Sequence, residues 1–257
     1  MFQDLYGGPE GRLWELVAGE MLHCGGLRHT TEMATETGIS EGKKILDICS
    51  GFGTTLRLLA KKFKVHGFGI DGSPYMVAQA NERTRREGLS SDILYQQGDV
   101  HQLPWPNDAF DFVWSEDAWC YLNTKADVIK EAVRVLKPGG VMGFSDWVTG
   151  PVGMTREEAA RVHGFLQMPY TESVESYSAI LEKNGMRIRS AKDLCDQFVE
   201  SMSLYIRMIS EQLTYDALKI LGDDPQRLDY VLAEWSYLIE MGRKGKFGQG
   251  RIVAIKA

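Results

Sequence analysis

An α/β fold, in which a mostly parallel sheet carries helices on both faces, is what this chain of 257 residues predicts. Three observations carry the prediction. Short apolar runs at 44–48, 65–70, 93–97, 110–115 and 141–147 alternate with helix-like segments at 54–63, 74–87 and 125–136, the βαβ rhythm that sets parallel strands side by side. The stretch Ile45-Leu46-Asp47-Ile48-Cys49-Ser50-Gly51-Phe52-Gly53 reads as a strand entering a glycine-bearing turn and then a helix. An acidic residue, Asp71, closes the second strand 20 residues after Gly51.

The elements follow in order. Residues 1–42 are expected to be mainly helical, since Leu13, Leu16 and Val17 fall at helical spacing and His23-Cys24-Gly25-Gly26 supplies a turn. The βαβ core then occupies 43–150. Within it, Lys137-Pro138-Gly139-Gly140 is expected to end the helix at 125–136 and turn the chain into the run at 141–147. Beyond Gly150, the segments 154–166 and 173–184 read as helices, 186–190 as a short strand, 194–221 and 225–242 as two longer helices, and 251–255 as a last strand. Residues 151–257 thus complete the same domain, with the long helices as a lid or a dimer surface and 1–42 as a cover for the ligand site.

Composition narrows the function. A 44% hydrophobic, 25% charged chain of net charge -6 is an ordinary globular protein, without the concentrated basic patch of a nucleic-acid binder. The densest cationic run, Lys61-Lys62 with Lys64, reads as a solvated helix end. Cys24, Cys49, Cys120 and Cys195 form no CxxC pair, so neither a metal site nor a disulfide framework is indicated, and a cytoplasmic protein is expected. No apolar run reaches the roughly 18 residues of a membrane span, and Asp4, Glu10 and Glu15 do not give a signal peptide's charge layout.

The turn and the acid together define a ligand. Gly51 and Gly53 let the backbone approach a bound molecule with no Cβ in the way, and the next helix offers free N–H groups. A carboxylate at Asp71 is placed to accept both hydrogen bonds of a ribose diol, so an adenosine-type ligand is expected. Gly98-Asp99-Val100 ends the third strand and Ser115-Glu116-Asp117 the fourth, bringing further carboxylates to the same edge. Such a cluster is costly unless each acid meets water, a donor or a cation, and a cationic ligand resolves it.

These segments resemble a family. Leu46 to Gly53, Gly69-Ile70-Asp71-Gly72-Ser73-Pro74-Tyr75-Met76, Gly98-Asp99-Val100, Leu103-Pro104-Trp105-Pro106-Asn107-Asp108-Ala109-Phe110-Asp111 and Arg134-Val135-Leu136-Lys137-Pro138-Gly139-Gly140 are similar, in order, to class I S-adenosylmethionine-dependent methyltransferases. The resemblance implies a Rossmann-like seven-stranded sheet whose last strand is antiparallel. It also implies that Asp47, Ser50 and the Gly51/Gly53 turn serve the methionine part of the cofactor and Asp71 and Gly72 the ribose. Met76 is implied against the adenine, Asp99 and Val100 at its amino edge, and Ser115 and Glu116 beside the cofactor. Cys49 stands where the family usually has glycine.

A narrower resemblance covers most of the chain. Gly19-Glu20-Met21-Leu22-His23-Cys24-Gly25-Gly26-Leu27, Trp114 to Trp119 and Glu234-Trp235-Ser236-Tyr237-Leu238-Ile239-Glu240-Met241-Gly242-Arg243-Lys244-Gly245-Lys246 are similar to the sarcosine/dimethylglycine N-methyltransferase group. Two segments depart from that group: Ser145-Asp146-Trp147-Val148 replaces Thr-Asp-Pro, and Cys120-Tyr121 replaces Leu-His. Both fall where the acceptor is expected.

Methyl transfer from a sulfonium is an in-line displacement, and an amine acceptor must be neutral to attack. His23, Asp117 and Tyr121, with Glu116, are the candidates for holding the acceptor and taking its proton. Tyr6, Trp119, Tyr121 and Trp147 are the candidate aromatic wall for cationic groups, and Arg243 a candidate clamp for an acceptor carboxylate. The expectation is a methyltransferase acting on a small soluble acceptor, an amine first, with no nucleic-acid or membrane partner and homo-oligomerisation open. An O-, S- or C-methyltransferase and a non-catalytic cofactor-binding module are the alternatives. A nicotinamide enzyme is disfavoured because Thr54-Thr55-Leu56, not a third glycine, follows Gly53.

Overall fold

Apolar side chains alternate between the two faces of the strand β4 (Phe110–Glu116), where Val113 points into one apolar layer and Trp114 into the other, both fully buried. A strand buried on both faces belongs at the centre of a sheet covered by helices. The computed structural model describes residues 8–257 and shows such a sheet. Its seven strands run in the order β3-β2-β1-β4-β5-β7-β6. The first half comprises β1 (Lys44–Ile48), β2 (His66–Asp71) and β3 (Ile93–Gln97). Beyond β4 lie β5 (Leu136–Thr149), β6 (Met186–Asp193) and β7 (Phe247–Lys256). Pairing is parallel from β3 through β5, and β7 runs antiparallel to both β5 and β6. The expected seven strands with a reversed last one are therefore present. Strand order reverses between β1 and β4, which opens a crevice at their carboxyl ends.

On one face, α2 (Gly26–Thr37) and α3 (Thr54–Phe63) bury Met33, Ala34, Leu56 and Leu59 against Ile45 and Val253. The other face is closed by α5 (Lys125–Val135) and α7 (Val174–Lys183), whose Val128, Ala132, Tyr177 and Leu181 meet Leu46 and Phe144. α4 (Pro74–Arg86) is started by Pro74 and by the Ser73 hydroxyl, which accepts from the Met76 N–H.

A third apolar cluster lies at the end of the long β5–β7 pair. Trp147 and Phe247 there meet α1 (Pro9–Ala18), α8 (Cys195–Met208) and α10 (Pro225–Arg243) through Leu13, Phe198, Met202 and Trp235. The remaining helices are α6 (Arg156–Leu166) and α9 (Thr214–Ile220).

Three local expectations change. The segment at 194–221 is not one helix: a π-helical turn (Ile209–Leu213) separates α8 from α9, with the Thr214 hydroxyl donating to the Ile209 carbonyl at 2.6 Å. Lys137–Gly140 is not a connector between helix and strand, because Leu136 already pairs with Phe110. The next pair is Phe112 with Val141, so those residues bulge out of a strand that has begun, at Gly139 with φ +73°. The final strand starts four residues earlier than expected, at Phe247. Its Gly248 and Gly250 resemble a loop in sequence, yet Cys195 and Val174 occupy the space their side chains would need.

Candidate functional site

The crevice beside β1 and β4 is a cavity of about 800 Å³, within the roughly 300–1,000 Å³ of small-molecule sites. Loops after β1, β2, β3 and β4 form its floor. Glu20 to His23, joining α1 to α2, form the facing wall, and Tyr121 and Leu122 a third side.

The turn after β1 is shaped by backbone demands. Cys49 and Gly51 have φ of +63° and +51°. A left-handed conformation costs a residue with a Cβ about 1–2 kcal/mol, which explains why glycine is usual where this chain has Cys49. Cys49 and Ser50 N–H groups hold the turn by donating to the Ile70 carbonyl at 2.8 and 3.1 Å. Burial pushes the Cys49 thiol pKa well up, with Asp71 and Asp47 adding to the effect, so this cysteine is a packing group. At Gly53, φ is +71° and a Cβ would lie 2.1 Å from the Tyr95 hydroxyl, which donates to the Gly53 carbonyl.

Carboxyl groups ring the cavity. Asp71 receives the Gly51 N–H at 3.0 Å on Oδ2 and the Ser73 N–H at 2.9 Å on Oδ1, leaving lone pairs toward the cavity. Burial nonetheless raises its pKa against those two bonds. Asp47 is buried and receives no hydrogen bond from the described residues. Burial, Glu116 and Asp71 push its pKa well above the carboxylate range. Asp99 is mostly exposed and holds the His101 backbone and ring N–H groups on Oδ1, which lowers its pKa.

Glu116 is fixed by three donors. Thr30 reaches Oε1 at 2.9 Å, while Thr55 and the Trp114 indole reach Oε2 at 2.8 and 3.0 Å. His23 stands beside it, Nε2 lying 3.6 Å from Glu116 Oε2 and 3.2 Å from the Thr30 hydroxyl. Because a carbonyl only accepts, the 3.1 Å contact of Nδ1 with the Cys24 carbonyl puts the proton on Nδ1. Nε2 is then the basic nitrogen, and the single Thr30 hydroxyl proton, within reach of both Nε2 and Glu116 Oε1, turns to Glu116 when Nε2 takes up a proton.

Asp117, at φ +49°, has its carboxylate committed inside the protein. It accepts from the Cys24 N–H at 3.0 Å, the Ser145 hydroxyl at 2.9 Å and the Gln249 amide at 2.8 Å to each oxygen. Gln249 in turn accepts the His29 Nδ1–H at 3.1 Å. This chain of contacts ties the segment carrying His23 to β5 and β7.

Deeper still, Asp146 accepts from the Cys120 N–H at 3.0 Å and from the Tyr177 hydroxyl. Burial pushes its pKa up to about 7 against the Tyr177 bond, with Asp117 reinforcing the rise. The native state therefore holds a proton that the unfolded chain has already lost, so stability falls as pH rises from the ordinary carboxylate range to about 7 and is level above it. Asp146→Asn is expected to flatten this slope in denaturant titrations from pH 4 to 8 and to exceed the parent's stability at pH 8. An unaltered slope places the buried proton elsewhere.

The cavity gathers most of the residues anticipated from sequence: His23, Asp47, Ser50, Gly51, Asp71, Gly72, Met76, Asp99, Val100, Glu116, Asp117 and Tyr121 all line it. Gly53 and Ser115 shape it from behind, Ser115 by donating to the Ile48 carbonyl at 2.8 Å. The aromatic wall needs correction. Trp119 is buried flat on Phe144 at 4.4 Å, and Trp147 is enclosed by Trp14, Phe198 and Phe247, because both side chains fall on core-facing positions. Arg243 is exposed at the end of α10, away from the cavity, so it does not serve there as a carboxylate clamp. Tyr6 lies outside the described residues. Sequence reasoning missed Thr30, Thr55 and Gln249, whose only signal is polar character at positions that pattern as buried.

The nucleoside cofactor implied by the motifs fits this lining. Ser50 Oγ is buried without a hydrogen-bond partner, Gly51 leaves open space where a Cβ would stand, and Asp47 is a buried carboxyl lacking a cation. An amino-acid end with an ammonium beside a positive sulfur answers these three, and a ribose diol the lone pairs of Asp71. Among the described residues, no cluster of three or more His, Cys, Asp or Glu could hold a metal, and no helix is long and apolar enough to cross a membrane.

The family model described as a methyltransferase domain matches residues 46–144. Methyltransferase GfsG of Streptomyces halstedii is 30% identical over 221 residues, covering 80% of this chain and 78% of that protein. Sarcosine/dimethylglycine N-methyltransferase of Aphanothece halophytica is 28% identical over 271 residues, covering 96% and 94%. The match to sterol 24-C-methyltransferase erg6 of Aspergillus fumigatus, 35% identical over 130 residues, takes in 51% of this chain, which spans only 34% of that protein. In fold, the chain is similar to the crystal structure of a proposed sarcosine dimethylglycine methyltransferase from Galdieria sulphuraria, with TM-score 0.88, 22% identity and coverage of 100% and 99%.

Proposed function

The chain belongs to the class I S-adenosylmethionine-dependent methyltransferases, and from that premise we propose that it methylates the nitrogen of a small amine in the cytoplasm. The carboxylate-ringed cavity carries the reading: its field favours a cationic donor and a cationic methylated product. Similarity to an N-methyltransferase over nearly the whole chain supports the choice of nitrogen. Four free cysteines suit a reducing compartment.

When bound, S-adenosylmethionine supplies an electrophilic methyl group on a positive sulfur. The chain's residues supply alignment, charge and proton handling. Asp47, Ser50 and Gly51 would hold the amino-acid end, Asp71 with Gly72 the ribose, and Met76, Val100 and Asp99 the adenine. His23 Nε2 takes the proton from an incoming ammonium, and Glu116, pinned by three donors, stabilises the imidazolium so formed. Tyr121 lines the acceptor side. Asp117 is a positioning residue, because its oxygens are already committed.

Incubation with S-adenosylmethionine and a mixture of amines, thiols, phenols and carbon acceptors, followed by mass spectrometry, tests the reading. An N-methylated product is expected. Product on a thiol, oxygen or carbon alone overturns the nitrogen, and tight cofactor binding with no product on any acceptor overturns catalysis. In calorimetric titration with S-adenosylhomocysteine, Asp71→Ala is expected to weaken binding by about 1–3 kcal/mol, the scale for stranding buried hydrogen-bonding groups. Unchanged affinity removes Asp71 from the ribose.

A further inference from the structure

Resting on the amine reading, we propose that the acceptor bears no carboxylate or phosphate, and that it seats an apolar group in a side pocket bounded by Trp14, Phe165, Val231 and Trp235. Two independent features lead there.

The first is charge. Six acidic residues line the main cavity: Glu20, Asp47, Asp71, Asp99, Glu116 and Asp117. Among the described lining residues there is no Lys or Arg, and residues 1–7, Met-Phe-Gln-Asp-Leu-Tyr-Gly, contain none. The two guanidiniums that reach the lining residue Glu20 are already committed. Arg57 binds Glu20, Glu87 and the Phe52 carbonyl, while Arg83 binds Glu15 and Glu20. Of the two histidines in the lining, His101 is bonded to Asp99 and His23 faces Glu116. Beyond the carboxylate that the cofactor itself brings, an anionic group on the acceptor would find no Lys or Arg among the described lining residues to receive it. A neutral amine with a hydrocarbon body enters without that conflict.

The second is shape. Tyr121 is a wall shared by the main cavity and a smaller one of about 50 Å³. Beyond Tyr121 the surface is mostly apolar: Trp14 and Trp235 lie 4.9 Å apart, with Phe165, Leu166, Leu221 and Val231 around them. Of its two polar side chains, Glu10 is paired with Arg227 and Gln167 is exposed. Because Tyr121 lines both spaces, a molecule held against it in the main cavity has this pocket on the other side of the ring, which makes the acceptor's own body the occupant we propose. These rings replace the expected wall of Trp119 and Trp147.

The test compares N-methylisopentylamine with sarcosine and with phosphoethanolamine, by calorimetry on the protein saturated with S-adenosylhomocysteine and by kcat/KM. The apolar amine is expected to be preferred over sarcosine by on the order of 100-fold, within the range that hydrocarbon contacts and an unpaired charge discriminate. Val231→Phe, which fills the side pocket, is expected to raise the KM of the apolar amine about tenfold and to leave S-adenosylhomocysteine binding intact. Phe165→Ala, at a half-buried position, is expected to shift preference toward the longer N-methylheptylamine. Equal or tighter binding of sarcosine or phosphoethanolamine overturns the pocket while leaving nitrogen as acceptor. So does an apolar amine indifferent to Val231→Phe in a protein that still binds S-adenosylhomocysteine, or one that does not bind at all. Methylation of isopentanethiol in place of the amine overturns the nitrogen and leaves the pocket standing.

Discussion

Replacing His23 with Ala is expected to lower kcat by a factor of about 10²–10⁴, the usual contribution of a positioned general base, while affinity for S-adenosylhomocysteine stays unchanged. The reason is geometric. Nδ1–H is spent on the Cys24 carbonyl, so Nε2 is the basic nitrogen of a ring that lines the cavity, in contact with the Thr30 hydroxyl and 3.6 Å from a carboxylate that cannot turn away. Thr30, Thr55 and Trp114 hold that carboxylate in place beside the ring. Loss of the ring leaves the amine to shed its proton to water. Single-turnover rates with and without added imidazole separate this role from packing: imidazole is expected to restore part of the rate, which no structural defect would allow. A variant as fast as the parent removes His23 from proton transfer.

What the sequence made legible is what local chemistry writes. The run Ile45 to Ile48, the turn at Gly51 and Gly53, and Asp71 at a strand end each declare themselves within a few residues, because period, bare backbone and charge are short-range signals. The partners of those groups are not. Thr30 is 86 residues from Glu116 and Gln249 is 132 from Asp117, and nothing in either neighbourhood marks it as a donor to a buried acid. Gln249 sits between Gly248 and Gly250, which reads as a loop until the strand is seen to run under Cys195 and Val174. Trp147 misled for the same reason: a strand-end aromatic points to the site or into the core by register alone, and register comes from β7, a hundred residues on.

Gln249→Leu is expected to destabilise the fold by about 3–4 kcal/mol, the scale of breaking the contacts of a buried charge, seen as a fall in Tm of about 6–16 °C for a chain of this size. Leucine preserves most of the volume, so the loss is polar. Asp117 would keep the Cys24 N–H and the Ser145 hydroxyl but lose the donor that reaches both its oxygens, and His29 would lose its acceptor. The consequence reaches the site, because Gln249 also donates to the Cys24 carbonyl at 3.4 Å, the carbonyl that holds His23 Nδ1, and kcat is expected to fall more than the affinity for S-adenosylhomocysteine. A double-mutant cycle isolates the charge. Asp117→Asn is expected to be costly in the parent and much less so in the Gln249→Leu background, where it removes the stranded carboxylate. Strict additivity of the two changes would mean that Gln249 supports β7 and not the acid.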